Sequence, residues 1–192
     1  MILLEDHVKV GSAKAKCADA RPAGHTHRHG PRLALQLQAE VAALQAYAAD
    51  QALQDAANLV IVAGCRSLLG DLETECREVM QELIEAIDRY DLYGKVAYPK
   101  NHDPADIPAY YAVARESGGV FVNPALNEPF GLTLVEAACY GVPLVATRNG
   151  GPVDIVDRIG AGRLVDPTDR AAIAAALLAE LSNDLSPKRA AI

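Results

Sequence analysis

The sequence predicts an α/β fold, a doubly wound parallel sheet with helices on both faces. Short apolar runs of strand length alternate with amphipathic helical segments from residue 58 to about residue 181. The links between them are short, which is typical of repeated strand–helix–strand units in a parallel sheet. The length of 192 residues, of which 51% are hydrophobic, is enough for one domain with its own core and too little for two full ones.

The predicted elements of the first half begin with a long Ala- and Leu-rich helix over residues 32–57. Residues 58–63 form an apolar run closed by Gly64, which indicates a strand that is buried on both faces. A helix over 71–90 follows, since its apolar residues recur every three or four positions. A strand at 95–98 ends at Pro99, and a helix at 106–116 carries Pro108 in its first turn, where a missing N–H costs little.

The second half continues the alternation, with strands at 119–123, 143–146 and 163–165. Helices are predicted at 132–140, after Pro152, and from Thr168, as N-cap, to about residue 181. This pattern completes a Rossmann-like sheet. Such sheets bind ligands where the carboxyl ends of their strands meet, so the segments after the strands are the places to look for chemistry.

The charge is distributed unevenly between the two ends of the chain. Residues 1–34 carry six Lys and Arg against three Asp and Glu and have no helical or strand period, so they are predicted to be an irregular arm. Residues 35–192 form the predicted domain and carry twelve basic against twenty-two acidic residues, a net charge of −10. That acidity argues against a nucleic-acid partner.

Other patterns exclude further classes. No apolar run reaches the roughly 18–20 residues of a membrane span, and the start lacks the features of a signal peptide. The four cysteines have no CxxC spacing, which fits a reducing, cytoplasmic location. Alternating His25, His27 and His29 have no carboxylate or cysteine cluster beside them, so no metal site is predicted.

The segment after the strand at 119–123 carries the clearest functional pattern. A loop presents Glu128, and a glycine, Gly131, then opens a helix whose first N–H groups have no partner within the helix. Such a helix N-terminus favours anions, and Thr133 adds a hydroxyl group there. Glu136 lies one turn further along. The two carboxylates therefore flank a phosphate-sized site, and as acceptors they suit the hydroxyl groups of sugars.

These residues resemble a known family. Glu128 and Glu136 enclose seven residues, which is the E-x7-E motif of retaining GT-B glycosyltransferases of family 4. The continuous run from residue 118 to 136, the run from 141 to 155, and the shorter segments 62–66 and 98–103 are similar to the sucrose-phosphate synthase family. The resemblance extends from about Ala46 to Gly162.

The resemblance implies that the chain is the carboxyl-terminal, donor-binding half of a hexosyltransferase, which uses UDP-glucose and fructose 6-phosphate. Glu128 would be the catalytic residue at the hexose, and Glu136 would hold the ribose. Backbone N–H groups at four positions would bind the diphosphate, while the 95–100 region would border the base. No metal or other cofactor is implied, and the sequence has no Asp-x-Asp pair to hold a divalent ion. The four diphosphate-binding positions are Phe130, Gly131, Leu132 and Thr133.

Three cations after predicted strands are weaker candidates for phosphate or ribose contact. They are Arg66, Lys100 and Arg148. The family also supplies an Arg and a Lys from a loop after its first strand, and these would fall near Leu37 and Gln38, neither of which is charged. The resemblance also implies an amino-terminal acceptor domain, which we expect to be missing from this chain. These differences leave open a non-catalytic nucleotide-sugar-binding remnant. A GDP-mannose-type hexosyltransferase is also open, because the E-x7-E motif does not select the base or the hexose.

Overall fold

The structure of this protein, a computed structural model, describes residues 1–5, 31–63 and 68–183. Six strands in those residues form one sheet, in the order β3-β2-β1-β4-β5-β6. The strands are β1 (Ile2–Glu5), β2 (Ala57–Val60), β3 (Val96–Ala97), β4 (Val120–Asn123), β5 (Leu144–Thr147) and β6 (Arg163–Val165). The α-helices are α1 (Pro31–Ala48), α2 (Gln51–Ala56), α3 (Thr74–Arg89), α4 (Ile107–Glu116), α5 (Leu132–Cys139), α6 (Pro152–Ile159) and α7 (Arg170–Leu181).

One strand runs against the direction of the others. The pairs β2–β3, β4–β5 and β5–β6 are parallel, whereas β1 is antiparallel to both of its neighbours, with Ile2 opposite Val60 and Phe121. The sheet is thus mixed and mainly parallel. The prediction of an irregular segment over residues 1–34 is wrong for β1, and α1 already begins at Pro31. Residues 6–30, with the three closely spaced histidines, lie outside the described part of the chain.

Helices cover both faces of the sheet, which confirms the predicted fold class. Helices α1, α2, α3 and α7 pack on one face around Leu3, Leu59 and Val120, all of which are buried. Helices α4, α5 and α6 pack on the other face, around Ile2 and Phe121. Because consecutive residues of a strand point to opposite faces, a strand between two helical layers is apolar throughout.

Two predicted helix boundaries are corrected by side-chain caps. The helix predicted over residues 32–57 is divided into α1 and α2, because the Asp50 carboxylate accepts a hydrogen bond from the N–H of Leu53 at 3.1 Å and starts a new helix. The N-cap of α7 is Asp169 rather than Thr168, since the Asp169 carboxylate accepts from the N–H of Ala172 at 3.0 Å. No helix in the described ranges has the length and apolar character needed to cross a membrane.

The sheet topology brings two polar loops to one edge. Strands β4 and β5 are parallel neighbours, so residues 124–131 and 148–151, which follow them, emerge side by side. The reversed β1 places Met1 at this same edge, where its amino group donates a hydrogen bond to the carbonyl oxygen of Val122 at 3.2 Å. The order 3-2-1-4-5-6 has its topological switch between β1 and β4, and this is where doubly wound sheets bind ligands.

Candidate functional site

The two loops at the carboxyl edge are joined into one unit by backbone hydrogen bonds. The N–H of Glu128 donates to the carbonyl oxygen of Asn149 at 3.1 Å, and the N–H of Gly151 donates to that of Glu128 at 2.8 Å. The side-chain amide of Asn149 also donates to the carbonyl oxygen of Leu126, at 2.8 Å. Gly150 lies between these contacts at φ +98°, and a Cβ there would lie 2.3 Å from the carbonyl oxygen of Glu128. Only glycine allows the loops to approach so closely.

The Glu128 carboxylate is bound by its own loop. Its Oε1 accepts hydrogen bonds from the N–H groups of Phe130 at 3.2 Å and Gly131 at 2.9 Å. Its Oε2 accepts from the side-chain amide of Asn123, the last residue of β4, at 3.3 Å. Two of the four N–H groups expected to face a diphosphate are therefore occupied by a carboxylate of the protein itself. This arrangement shows that the turn can hold an anion.

The N-terminus of α5 leaves two further N–H groups accessible. Gly131 has φ +74° and ψ +33° and is the residue before the helix. No acceptor in the described residues receives the N–H groups of Leu132 and Thr133, and both residues are exposed. These groups and the helix dipole together favour a negatively charged ligand just beyond the helix. A small anion could bind there without displacing Glu128.

Glu136 lies on the second turn of α5 and is exposed. Its Oε2 lies 3.4 Å from the hydroxyl oxygen of Tyr111, a buried residue of α4, and that hydroxyl also lies 3.2 Å from the carbonyl oxygen of Thr133. Burial, followed by the nearby charge of Glu136, raises the pKa of Tyr111, so the phenol keeps its proton. Tyr111 was missed from the sequence, because a tyrosine on an apolar helix face indicates only a core residue.

Of the two candidate cations that the structure describes, Lys100 lies away from this turn and Arg148 is paired with a carboxylate. Lys100 is exposed and follows β3, which is three strand positions away from β4, or roughly 14 Å at the usual strand spacing. Arg148 forms an ion pair with Asp166, with 2.5 Å between Nη2 and Oδ2. Hydrogen bonds from Thr168, supported by the charge of Arg148, lower the pKa of Asp166. Arg66 lies outside the described residues.

The described residues hold no group of three His, Cys, Asp or Glu side chains placed to bind a metal ion. The polar groups at the edge are instead two carboxylates and the N–H groups of a helix start. The arrangement can bind an anion through backbone donors and the hydroxyl groups of a ligand through carboxylate acceptors.

The chain is similar to proteins of known families. Residues 36–192 match the family described as glycosyl transferases group 1. Over 140 residues, the chain is 51% identical to the probable sucrose-phosphate synthase 5 of Oryza sativa subsp. japonica, a match that covers 73% of this chain and 14% of that protein. It is 50% identical to sucrose-phosphate synthase 4 of Arabidopsis thaliana, covering 73% and 13%. The chain therefore spans about one seventh of the length of these relatives.

Solved structures resemble the fold described above. The sucrose-phosphate synthase from Thermosynechococcus elongatus matches with a TM-score of 0.61 and 26% identity, over 75% of this chain and 34% of that one. The Anabaena protein HepE, solved in complex with UDP, matches with a TM-score of 0.59 and 22% identity, over 84% of this chain and 45% of that one. The second likeness concerns the fold alone.

Proposed function

Since this chain belongs to the glycosyl transferases group 1 family, we propose that residues 35–192 bind the donor in a hexosyltransferase of the sucrose-phosphate synthase type. The proposed reaction transfers glucose from UDP-glucose to fructose 6-phosphate. The observation that carries the proposal is the turn from Glu128 to Thr133, where accessible N–H groups open a helix beside two carboxylates. The identity of about 50% to plant sucrose-phosphate synthases supports the choice of reaction.

In the proposed complex, the diphosphate lies at the start of α5. The N–H groups of Leu132 and Thr133 bind it first, because they have no acceptor in the described residues. Those of Phe130 and Gly131 join them when the Glu128 carboxylate turns from its own loop toward the hexose. Backbone donors at this position stabilise the negative charge that develops on the departing nucleotide diphosphate as the bond from the sugar to phosphate breaks.

The sugars lie on either side of the diphosphate. Glu136 accepts hydrogen bonds from the ribose hydroxyl groups, and Glu128 contacts the hexose as the proposed catalytic residue. Segment 95–100, which ends at Lys100, is proposed to border the base from the β3 side of the sheet. Arg66 follows β2 in the chain and is proposed to reach the same cleft. Fructose 6-phosphate is proposed to bind to an amino-terminal acceptor domain outside these residues.

A second candidate function is donor binding without catalysis. In the family, two cations near the start of α1 bind the diphosphate, and here the corresponding position Gln38 is exposed and uncharged. Loss of such a cation weakens stabilisation of the charge on the departing diphosphate in the transition state. It affects the binding of the uncharged sugar and base of the donor much less, so the donor can bind without being turned over. The same site could also accept GDP-mannose, because the E-x7-E motif selects neither the base nor the hexose.

The experiment is isothermal titration of the full chain with UDP, UDP-glucose and GDP-mannose, beside an assay of sucrose-phosphate formation. We expect Glu136→Ala to weaken UDP binding roughly 10- to 100-fold, the usual effect of losing hydrogen bonds to a charged group. Glu128→Ala should weaken UDP-glucose more than UDP. Glu82→Ala, an exposed acid of α3 on the opposite face of the sheet, is the matched control and should change neither.

The outcomes separate the alternatives. Binding of UDP-glucose with no turnover favours the non-catalytic function, and tighter binding of GDP-mannose favours the other donor. Equal loss of UDP affinity in the two glutamate variants would contradict their assigned roles. A chain that binds neither nucleotide sugar would overturn the proposed function.

A further inference from the structure

Tyr111 is held firmly at the junction of α4, β4 and α5. Its side chain is 4% exposed. Its ring meets that of Phe121 on β4 edge to face, with 5.8 Å between the centroids, and lies 5.6 Å from the ring of Tyr140, which follows α5. Aromatic pairs at these separations favour particular ring orientations, and burial further restricts the ring. The hydroxyl group at the end of the ring is therefore directed to one place.

That place is the first two turns of α5. The Tyr111 hydroxyl oxygen lies 3.2 Å from the carbonyl oxygen of Thr133 and 3.4 Å from Oε2 of Glu136. A carbonyl and a carboxylate are both acceptors, so the single phenolic proton of Tyr111 is shared between the two. The carbonyl oxygen of Thr133 is the nearer acceptor, whereas the negative charge of Glu136 strengthens a hydrogen bond to its carboxylate. Burial and the nearby charge of Glu136 raise the pKa of Tyr111, so the phenol keeps the proton that it donates.

The contact matters because Glu136 is otherwise exposed. An exposed glutamate samples several rotamers, and ordering such a side chain on ligand binding costs free energy. A donor from a buried, rigid ring holds one carboxylate oxygen in advance. The other oxygen is then free to accept from a ligand.

We propose that Tyr111 is a positioning residue for nucleotide recognition: it holds Oε2 of Glu136 so that the carboxylate is already oriented to accept the ribose hydroxyl groups of the donor. The inference rests on the proposed function, in which Glu136 binds ribose. Tyr111 does not touch the donor itself. Its contribution depends on both the carboxylate and the ribose hydroxyl groups being present.

The test compares Tyr111→Phe with Tyr140→Phe by titration with UDP and with 2′,3′-dideoxy-UDP. Tyr140→Phe removes the same atom from the same cluster of rings, and the Tyr140 hydroxyl does not contact Glu136 in the structure. We expect Tyr111→Phe to weaken UDP roughly tenfold, the lower end of what a hydrogen bond to a charged group contributes. The affinity for dideoxy-UDP should change by less than about twofold in the same variant. Tyr140→Phe should change the affinity for either ligand by no more than that.

If Tyr111 had only a structural role, Tyr111→Phe would weaken the binding of both ligands alike. Equal losses of affinity for UDP and dideoxy-UDP therefore overturn the inference. Unchanged UDP affinity in Tyr111→Phe also overturns it, while leaving the proposed function intact. In a Glu136→Ala background, Tyr111→Phe should have no further effect on UDP, and a persisting tenfold loss contradicts action through Glu136. Absence of UDP binding to the unsubstituted chain refutes the proposed function first and this inference with it.

Discussion

Replacing Gly150 with alanine tests whether the two loops at the edge of the sheet act as one unit. Gly150 has φ +98°, and a Cβ at this position would lie 2.3 Å from the carbonyl oxygen of Glu128 and 3.0 Å from its carbonyl carbon. Both contacts are with backbone, so no side-chain rotation can relieve them. The loops have to separate. Gly160→Ala is the matched control, because Gly160 also has a positive φ, +65°, but has nothing within 4 Å of the added methyl group.

The magnitude follows from the difference between the two variants. Each places an L-residue in a left-handed conformation, at a cost of about 1–2 kcal/mol. Gly150→Ala additionally disrupts the hydrogen bonds from the N–H of Glu128 to Asn149 and from the N–H of Gly151 to Glu128, each worth about 1 kcal/mol. The expected difference is therefore about 2 kcal/mol. For a chain of this length that corresponds to a Tm about 4–8 °C lower than that of Gly160→Ala.

The assay is thermal unfolding followed by circular dichroism, with urea unfolding to give the free energy. UDP-glucose titration of the same samples reports on the site, and Gly150→Ala should bind the donor more weakly than Gly160→Ala because the Glu128 loop has moved. Equal Tm values for the two variants would refute the reasoning, since the close approach of the loops would then contribute nothing. A lower Tm with unchanged donor affinity would separate the loop contact from the site.

Further predictions concern the core and a buried charge. Leu3→Ala should lower the free energy of unfolding by about 2–5 kcal/mol, because the Leu3 side chain is fully buried in the central strand. Leu164→Ala, at a partly exposed position of β6, should lower it much less. Equal urea midpoints for the two variants would contradict the placement of β1. Burial raises the pKa of Glu40 above its ordinary value of 4.5, and the charge of the Met1 amino group opposes this only in part. The native state therefore holds this proton more tightly than the unfolded state does. As a result, the free energy of unfolding falls as the pH rises above 4.5. Glu40→Gln should therefore be more stable than the parent chain at about pH 8 and lose that advantage below about pH 4. Urea unfolding at the two pH values measures the difference. An advantage that is absent, or that does not change with pH, would contradict the prediction.

Most of the fold could be predicted from the sequence, because strands buried on both faces and amphipathic helices leave clear patterns. Strands β4 and β6 and helices α4 and α5 lie within one residue of their predicted bounds. The strand Ile2–Glu5 could not be predicted in this way, since three apolar residues followed by a glutamate are too short a run to show a period. It forms a strand because β2 and β4 each offer it an unpaired edge.

The site could be predicted in outline only. The order of Glu128, Gly131 and Glu136 along a loop and helix start is readable from residue types and from the family resemblance, and their roles remain predictions. The sequence could not show that Glu128 binds the N–H groups of its own turn, because those hydrogen bonds depend on the conformation of Phe130 and Gly131. Nor could it show that Tyr111 meets Glu136, because twenty-five positions separate them.

The reversed central strand also has a consequence for how the chain folds. Strands β2 and β3 on one side, and β4, β5 and β6 on the other, are joined only through β1 in the described sheet. During synthesis β1 is made before either partner, and Ile2 pairs with Phe121 only after more than a hundred further residues have been added. Closing so long a loop is entropically costly and slow. The two sides of the sheet therefore join late in folding. A nascent chain that ends before β4 leaves the β4-facing edge of β1 without its partner strand.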